Sequence, residues 1–334
     1  MTENTATSYR LFGMEALRER LPALTKEIAG ARVADDLEYV HRMRVASRRV
    51  RNALALFGDD LPKKHADTWR VEMRRITRTL GAARDTDVQI AWVSQFLAQL
   101  PAGAQCIGVE RLLLRLRQQR ARLQAKIVKT LDRLEDKRVV DDMNETLHEL
   151  IVHARVYEIE SMPADLYERA GQAISLRLEE FLAYEAFVEH PEHIMELHQM
   201  RIAAKHLRYT LEVFEPLYNR ALRKPLKVTR EIQDLLGEVH DCDVWIEFIP
   251  RFIEEERART AEYFGDAVPA DELLAGLQAL QEDRRQHRLH TYYMFHRFWE
   301  LTREKGIWDR VRQAIKPPAK AELLELATTT DAAP

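Results

Sequence analysis

The chain has 334 residues, 46% hydrophobic and 31% charged, with a formal net charge of −3. This excludes a disordered polyelectrolyte and any protein that would hold a polyanion by net charge alone. Two cysteines without CxxC spacing exclude a disulfide framework and a thiolate metal site, and no apolar run has the length of a membrane span or the pattern of a signal peptide. The expectation is a cytoplasmic protein, built from long helices because only 11 Gly and 12 Pro supply turns.

In chain order, residues 1–8 read as a disordered start. Leu11, Met14, Leu17, Leu21, Leu24 and Ile28 recur at three- and four-residue spacing, which predicts an amphipathic helix from Arg10 to Ala29. Asp35 and Asp36 can cap a second helix that runs to Phe57 and ends at Gly58. A third helix is expected over 64–80, stopped by Gly81. Asp85 would open a fourth to about Leu100, and a loop over 101–108 leads into a long Arg-rich helix to Asp136. The stretch 141–163 reads as a bridge. A helix over 164–187 follows, then one with Pro191 in its first turn, one over 221–236 ending at Gly237, and one opened by Asp241. An acidic loop around 254–270, a long helix over 271–302, and a short helix and tail within 306–334 complete the chain.

The second half retraces the first. HRMRVASRRVRNALALF at 41–57 recurs as HQMRIAAKHLRYTLEVF at 198–214, which pairs His41 with His198, Arg44 with Arg201, Arg48 with Lys205, Arg51 with Arg208 and Phe57 with Phe214. LGAARDTDV at 80–88 recurs as LGEVHDCDV at 236–244 in the same order. Two ordered matches indicate an internal duplication, with repeats at about 9–140 and 164–305.

At 100° per residue, His41, Arg44, Arg48 and Arg51 fall within an arc of about 80°, apart from the apolar stripe Met43, Ala46, Val50, Leu54 and Phe57. They form a basic rail, and His198, Arg201, Lys205 and Arg208 repeat it. No acid lies between Tyr39 and Gly58 or between Leu197 and Leu211. Like charges at this spacing destabilise a helix unless acids from elsewhere in the fold or a bound polyanion offset them. A solvated face is the ordinary meaning of one such helix, but it gives no reason for the pattern to recur. Asp85, Asp87, Asp241 and Asp243 are the recurrent acids, too few to neutralise both rails and the cations on the following helices, Arg74, Arg78, Lys227 and Arg230 among them. Asp85 and Asp241 read as helix N-caps. His240-Asp241 resembles the HD dipeptide of metal-dependent phosphohydrolases, but Arg84 stands at the matching position and cannot ligate a metal.

The paired His-x-x-Arg helices, the two L-G-x-x-[RH]-D-x-D segments and the all-helical halves resemble the CHAD family, the conserved-histidine α-helical domain, over about residues 8 to 305. The resemblance implies an all-α fold of two pseudo-twofold-related four-helix bundles, with the basic helices facing a central cavity. It also implies binding of inorganic polyphosphate and targeting to polyphosphate granules, whose other proteins would be further partners. By motif position the binding residues would be His41, Arg44, Arg48, Arg51, His198, Arg201, Lys205 and Arg208, with Arg49 and His206 pointing about 80–100° away. Arg74, Arg78, Lys227 and Arg230, and Arg117, Arg120, Arg284 and Arg288 on the long helices, would complete the lining. The E-x-E-x-K mark of the triphosphate-tunnel domains often joined to this family is missing, because Glu158-Ile159-Glu160 is followed by Ser161-Met162. With no P-loop, G-x-S-x-G or H-E-x-x-H, the expectation is a binding module without catalytic residues, metal or cofactor. The competing readings are phosphoryl chemistry on the paired histidines, and a nucleic-acid site. Tyr209 is the one aromatic interleaved with the rails, which supplies base stacking poorly.

Overall fold

Ser8 caps the first helix, its Oγ accepting from the Leu11 N–H at 3.1 Å, and from there the chain is helical almost throughout. The computed structural model describes residues 8–101, 103–157, 163–265 and 273–317, and among these it is all-α, without strands. The helices are α1 (Tyr9–Arg18), α2 (Leu21–Thr25), α3 (Ile28–Val33), α4 (Leu37–Phe57), α5 (Lys63–Gln99), α6 (Ala104–Asp136), α7 (Val139–Tyr157), α8 (Pro163–Leu182), α9 (Ile194–Phe214), α10 (Arg223–Phe264), α11 (Leu274–Glu304) and α12 (Ile307–Ala314).

The two halves set out the same order. The broken rod α1–α3 packs on α4, α4 on α5 and α5 on α6; α8 packs on α9, α9 on α10 and α10 on α11. α7 leaves α6 through the left-handed Arg138 (φ 47°), and α12 leaves α11 through the left-handed Gly306 (φ 57°), so each half closes with a helix folded back from its long rod.

Several predicted boundaries are corrected. Gly81 and Gly237 stop nothing: α5 and α10 run through both, and Asp85 and Asp241 sit in mid-helix rather than at N-caps. A helical glycine costs about 1 kcal/mol relative to alanine, which the packing of a long helix outweighs. The acidic stretch from Glu254 to Phe264 is also helix, because its charges alternate in sign at helical spacing. Glu247 pairs with Arg251 at 3.1 Å, Glu254 with Arg257 at 3.3 Å and Glu255 with Arg259 at 3.1 Å. The first predicted helix breaks into three short pieces, with Pro22 at the start of α2. α6 begins at Ala104, inside the predicted loop. α8 gives way after Leu182 to a 3₁₀ turn at Glu185–Phe187, and α9 begins at Ile194, which leaves Pro191 in the preceding turn. Residues 1–7, the 158–162 part of the bridge, the 266–270 part of the acidic stretch, Asp271 and the tail from 318 lie outside the described residues.

Two apolar clusters hold the halves together and bracket the space between them. At one end the rail helices meet through their last residues: the Phe57 and Phe214 rings stand edge-on at 5.8 Å, with Tyr9 4.9 Å from Phe57 and Phe12 stacked 5.9 Å from Phe214. Gly13 admits the Phe57 ring, since a Cβ there would come 2.4 Å from its Cγ. At the other end Trp92 of α5 and Trp245 of α10 lie 5.1 Å apart beside a second core of Val93, Val109, Leu112, Ile249, Phe252 and Leu277. Asp36 starts the first rail helix by accepting from the Glu38 N–H at 2.9 Å. Asp36→Ala is expected to cost about 1 kcal/mol in urea unfolding, the usual worth of an N-cap.

Candidate anion-binding site

The core stripes of α4 and α9 are buried as the periodicity requires: Met43, Val50 and Leu54 on one, Met200, Leu207 and Leu211 on the other, all at 0% exposure. That burial fixes the rotation of each helix and turns both rails toward each other. Lys205 feels the charges of Arg48, Arg201, Arg51 and Arg44, drawn from both rails. Burial first, and then those four cations, push the Lys205 ammonium down to about 8. Burial likewise lowers Arg48 and Arg201 from the ordinary guanidinium value. The Arg48 guanidinium lies 5.1 Å from the Tyr209 ring centroid and that of Arg208 lies 5.5 Å from it, so one aromatic ring serves a cation from each rail.

Few acids answer this charge. Arg44 Nη2 donates to Asp85 Oδ1 at 3.3 Å. Among the described residues, Arg48, Arg51, Arg201, Lys205 and Arg208 form no ion pair; Arg208 donates instead to Gln233 Oε1 at 3.3 Å. Arg201 has Asp241 and Asp85 as its acidic neighbours, and Asp241 is pushed up to about 6, by burial first and by Asp85 among its neighbours. Its side chain stays open to water although protein surrounds it on most sides.

The two aspartates of each L-G-x-x-[RH]-D-x-D segment divide the work, which the N-cap reading did not foresee. The first, Asp85 or Asp241, faces the rails. The second, Asp87 or Asp243, binds an arginine on the long helix that follows. Arg120 Nε donates to Asp87 Oδ1 at 2.6 Å, and Arg120 Nη1 to Gln124 Oε1 at 3.0 Å. Gln124 Nε2 in turn donates to the carbonyls of Ala31 and Arg32, at 3.0 and 3.1 Å. In the other half Arg288 Nε donates to Asp243 Oδ1, while Arg288 Nη2 donates to the Pro191 carbonyl at 2.8 Å. Each pair braces the turn just before a rail helix. Arg120 and Arg288, expected to line the cleft, are therefore committed to bracing, and Arg284 lies 3.9 Å over the Trp92 ring. Gly81 stands opposite Arg44, whose Nε would lie 3.8 Å from a Cβ there.

The histidines of the rails are held neutral by their surroundings. His41 and His198 are pulled below the ordinary imidazole value, by burial first and then by Arg84 and by Arg201 respectively. His240, 4.0 Å from His198 between ring centroids, is pushed down to about 4 by burial, Arg201 and His198. At neutral pH these rings are neutral, not cationic. Nδ1 of both His41 and His198 is buried without a partner, which costs less as a lone pair than as an N–H and so favours the proton on Nε2.

Of the remaining candidates, Arg49 leaves the rail to bind Glu212 Oε1 at 2.6 Å, tying α4 to α9. His206 is half-buried beside Arg177 and Glu180, and burial lowers it too. Arg74 and Arg78 are exposed on the stripe of α5 that leads to Asp85, and Lys227 and Arg230 on the stripe of α10 that leads to Asp241. Arg117 is exposed on α6. A separate cavity of about 760 Å³ is lined by Asp35, Asp36, Glu38, Arg84 and Trp92 among others; its acidic mouth does not suit an anion.

The CHAD domain family model matches residues 15–250. The chain belongs to the CHAD family. Its fold is similar to that of the CHAD domain from the plant Ricinus communis, with a TM-score of 0.58 at 23% identity over 87% of this chain and 94% of that one. It is similar also to PptA from Streptomyces chartreusis, with a TM-score of 0.55 at 18% identity over 89% of this chain and all of the other. No curated protein matches the chain. Among the described residues of this CHAD chain, no helix is long and apolar enough to cross a membrane.

Proposed function

We propose that this CHAD domain binds inorganic polyphosphate in the cleft between α4 and α9, and that this binding recruits it to polyphosphate granules. The observation that carries the reading is the convergence on Lys205 of four arginines from both rails, which adds to burial in pushing its ammonium down to about 8. Among the described residues only Asp85 and Asp241 answer that charge, through Arg44 and Arg201. A chain of phosphates would answer the rest, each accepting charge-assisted hydrogen bonds from Arg44, Arg48, Arg51, Arg201, Lys205 or Arg208. Neutral His41 and His198 add Nε2–H donors without adding charge. Among the described residues no carboxylate orients either imidazole through Nδ1, which supports a binding role over acid–base chemistry on these rings.

Binding should be measured by calorimetric titration of long-chain polyphosphate at two salt concentrations, with chain length checked afterwards by gel. Saturable binding that weakens steeply with salt, without chain shortening, supports the reading. Shortened chains would mean an enzyme, and displacement of polyphosphate by equal phosphate equivalents of RNA would mean a general polyanion site.

The pH dependence has a definite sign. A bound polyanion raises the pKa of both Asp241, about 6 in the free protein, and Lys205, about 8, so binding takes up protons. Affinity is expected to fall as pH rises from 5.5 to 9, with one step above 6 and another above 8. Asp241→Asn should remove the lower step and tighten binding several-fold at pH 7.5, and Lys205→Arg should remove the upper step. A flat profile in the wild-type protein would remove both residues from the site.

A further inference from the structure

The turn that precedes the second rail helix carries a second kind of chemistry. His190-Pro191-Glu192-His193 closes on itself: the His193 N–H donates to the His190 carbonyl at 3.1 Å, with Pro191 at the turn position that favours a fixed φ. The Ile194 N–H then donates to the Glu192 carbonyl at 2.9 Å, and α9 begins. Closing the turn brings its first and last side chains together, with the two imidazole centroids 5.4 Å apart. One ligand atom each from His190, Glu192 and His193 falls within 4.8 Å of the others. His190 Nδ1 and Glu192 Oε1 are already 3.2 Å apart, about the separation of two ligands on one tetrahedral ion with ~2.0–2.1 Å bonds. Glu196, one turn into α9, stands 3.5 Å from His193 Nδ1, where a carboxylate can orient the ring for its other nitrogen to ligate.

The backbone under this cluster is held independently of it. Arg288, itself fixed by Asp243, donates to the Pro191 carbonyl at 2.8 Å. The Tyr292 hydroxyl donates to the Val188 carbonyl at 2.6 Å, and His296 Nε2 lies 2.8 Å from a Glu189 carboxylate oxygen. Three residues of α11 thus fasten the turn, while the His190 and Glu192 side chains remain exposed and free to converge.

We propose that His190, Glu192 and His193 form a binding site for a divalent transition-metal ion of the zinc or nickel class, with Glu196 orienting His193 and water completing the shell. Two imidazoles and one carboxylate suit zinc, nickel, cobalt or copper; magnesium and calcium prefer all-oxygen shells. The site owes nothing to the basic cleft and takes a ligand of opposite charge, so it stands or falls apart from polyphosphate binding.

The test is a calorimetric titration of the full chain with zinc chloride and, separately, nickel chloride, in buffer free of phosphate and chelators. One equivalent should bind at micromolar concentration, and His190→Ala/His193→Ala should lose at least tenfold in affinity while its circular-dichroism melt without metal stays at the wild-type value. Because the other histidines can bind metal weakly, the variant is the deciding comparison. X-ray absorption of the zinc complex should show two imidazole nitrogens. Absence of saturable binding, or equal binding by the double variant, overturns the proposal; so does a shell without imidazole.

Discussion

Reversing the charge at Arg44 and Arg201 together is expected to abolish polyphosphate binding, with affinity falling more than 100-fold at physiological salt. These two residues occupy the same place on the two rails, and each faces an aspartate of the adjoining helix, Asp85 or Asp241. A hydrogen bond from a charged donor contributes about 1.5–3 kcal/mol. Losing two therefore removes roughly 3–6 kcal/mol, and tenfold in affinity corresponds to about 1.4 kcal/mol. Reversal adds repulsion to the loss, whereas Arg44→Gln/Arg201→Gln removes only the attraction and should retain part of the affinity. The double reversal also leaves Asp85 and Asp241 facing new carboxylates, so its fold must be checked by circular dichroism. Arg251→Gln is the matched control, because Arg251 lies exposed on α10 with Glu247 as its partner. Wild-type affinity in a folded double variant would move the site out of the cleft.

The rails were legible because periodicity separates them so cleanly from the core stripes. Once Met43, Val50 and Leu54 are assigned to the core, the direction of Arg44 and Arg48 follows from helix geometry. Helix ends were less legible. Gly81 and Gly237 carry a local preference of about 1 kcal/mol, and packing along both flanks of α5 and α10 overrides it. The division of the aspartates was hidden for another reason. Asp87 and Asp243 are explained only by Arg120 and Arg288, which lie 33 and 45 residues further along the chain. No periodicity argument joins residues so far apart. The neutral histidines were hidden as well, because their charge depends first on burial and then on cations brought close by the fold. His190 and His193 escaped for the opposite reason, since their neighbourhood is a four-residue turn rather than a helical face.

Asp87→Ala is expected to destabilise the first half by about 3–5 kcal/mol, the cost of leaving one member of a buried ion pair uncompensated. The Asp87 side chain is 1% exposed and that of Arg120 11%, so solvent cannot replace the lost carboxylate. The effect should pass beyond the pair. Arg120 also donates to Gln124, whose amide holds the carbonyls of Ala31 and Arg32 just before the first rail helix. Loss of Asp87 therefore loosens the entry to α4 as well as the packing of α5 on α6. Asp87→Ala/Arg120→Met should recover most of the stability, since an apolar replacement of a buried pair is close to neutral. That recovery separates an ion-pair effect from a simple cavity. Urea unfolding of the two variants and Arg120→Met alone completes the cycle. A loss below about 1 kcal/mol for Asp87→Ala would equate this pair with an exposed one and end its bracing role. If the cycle holds while polyphosphate affinity at low temperature stays near wild type, the second aspartate serves the stability of the fold, apart from the ligand.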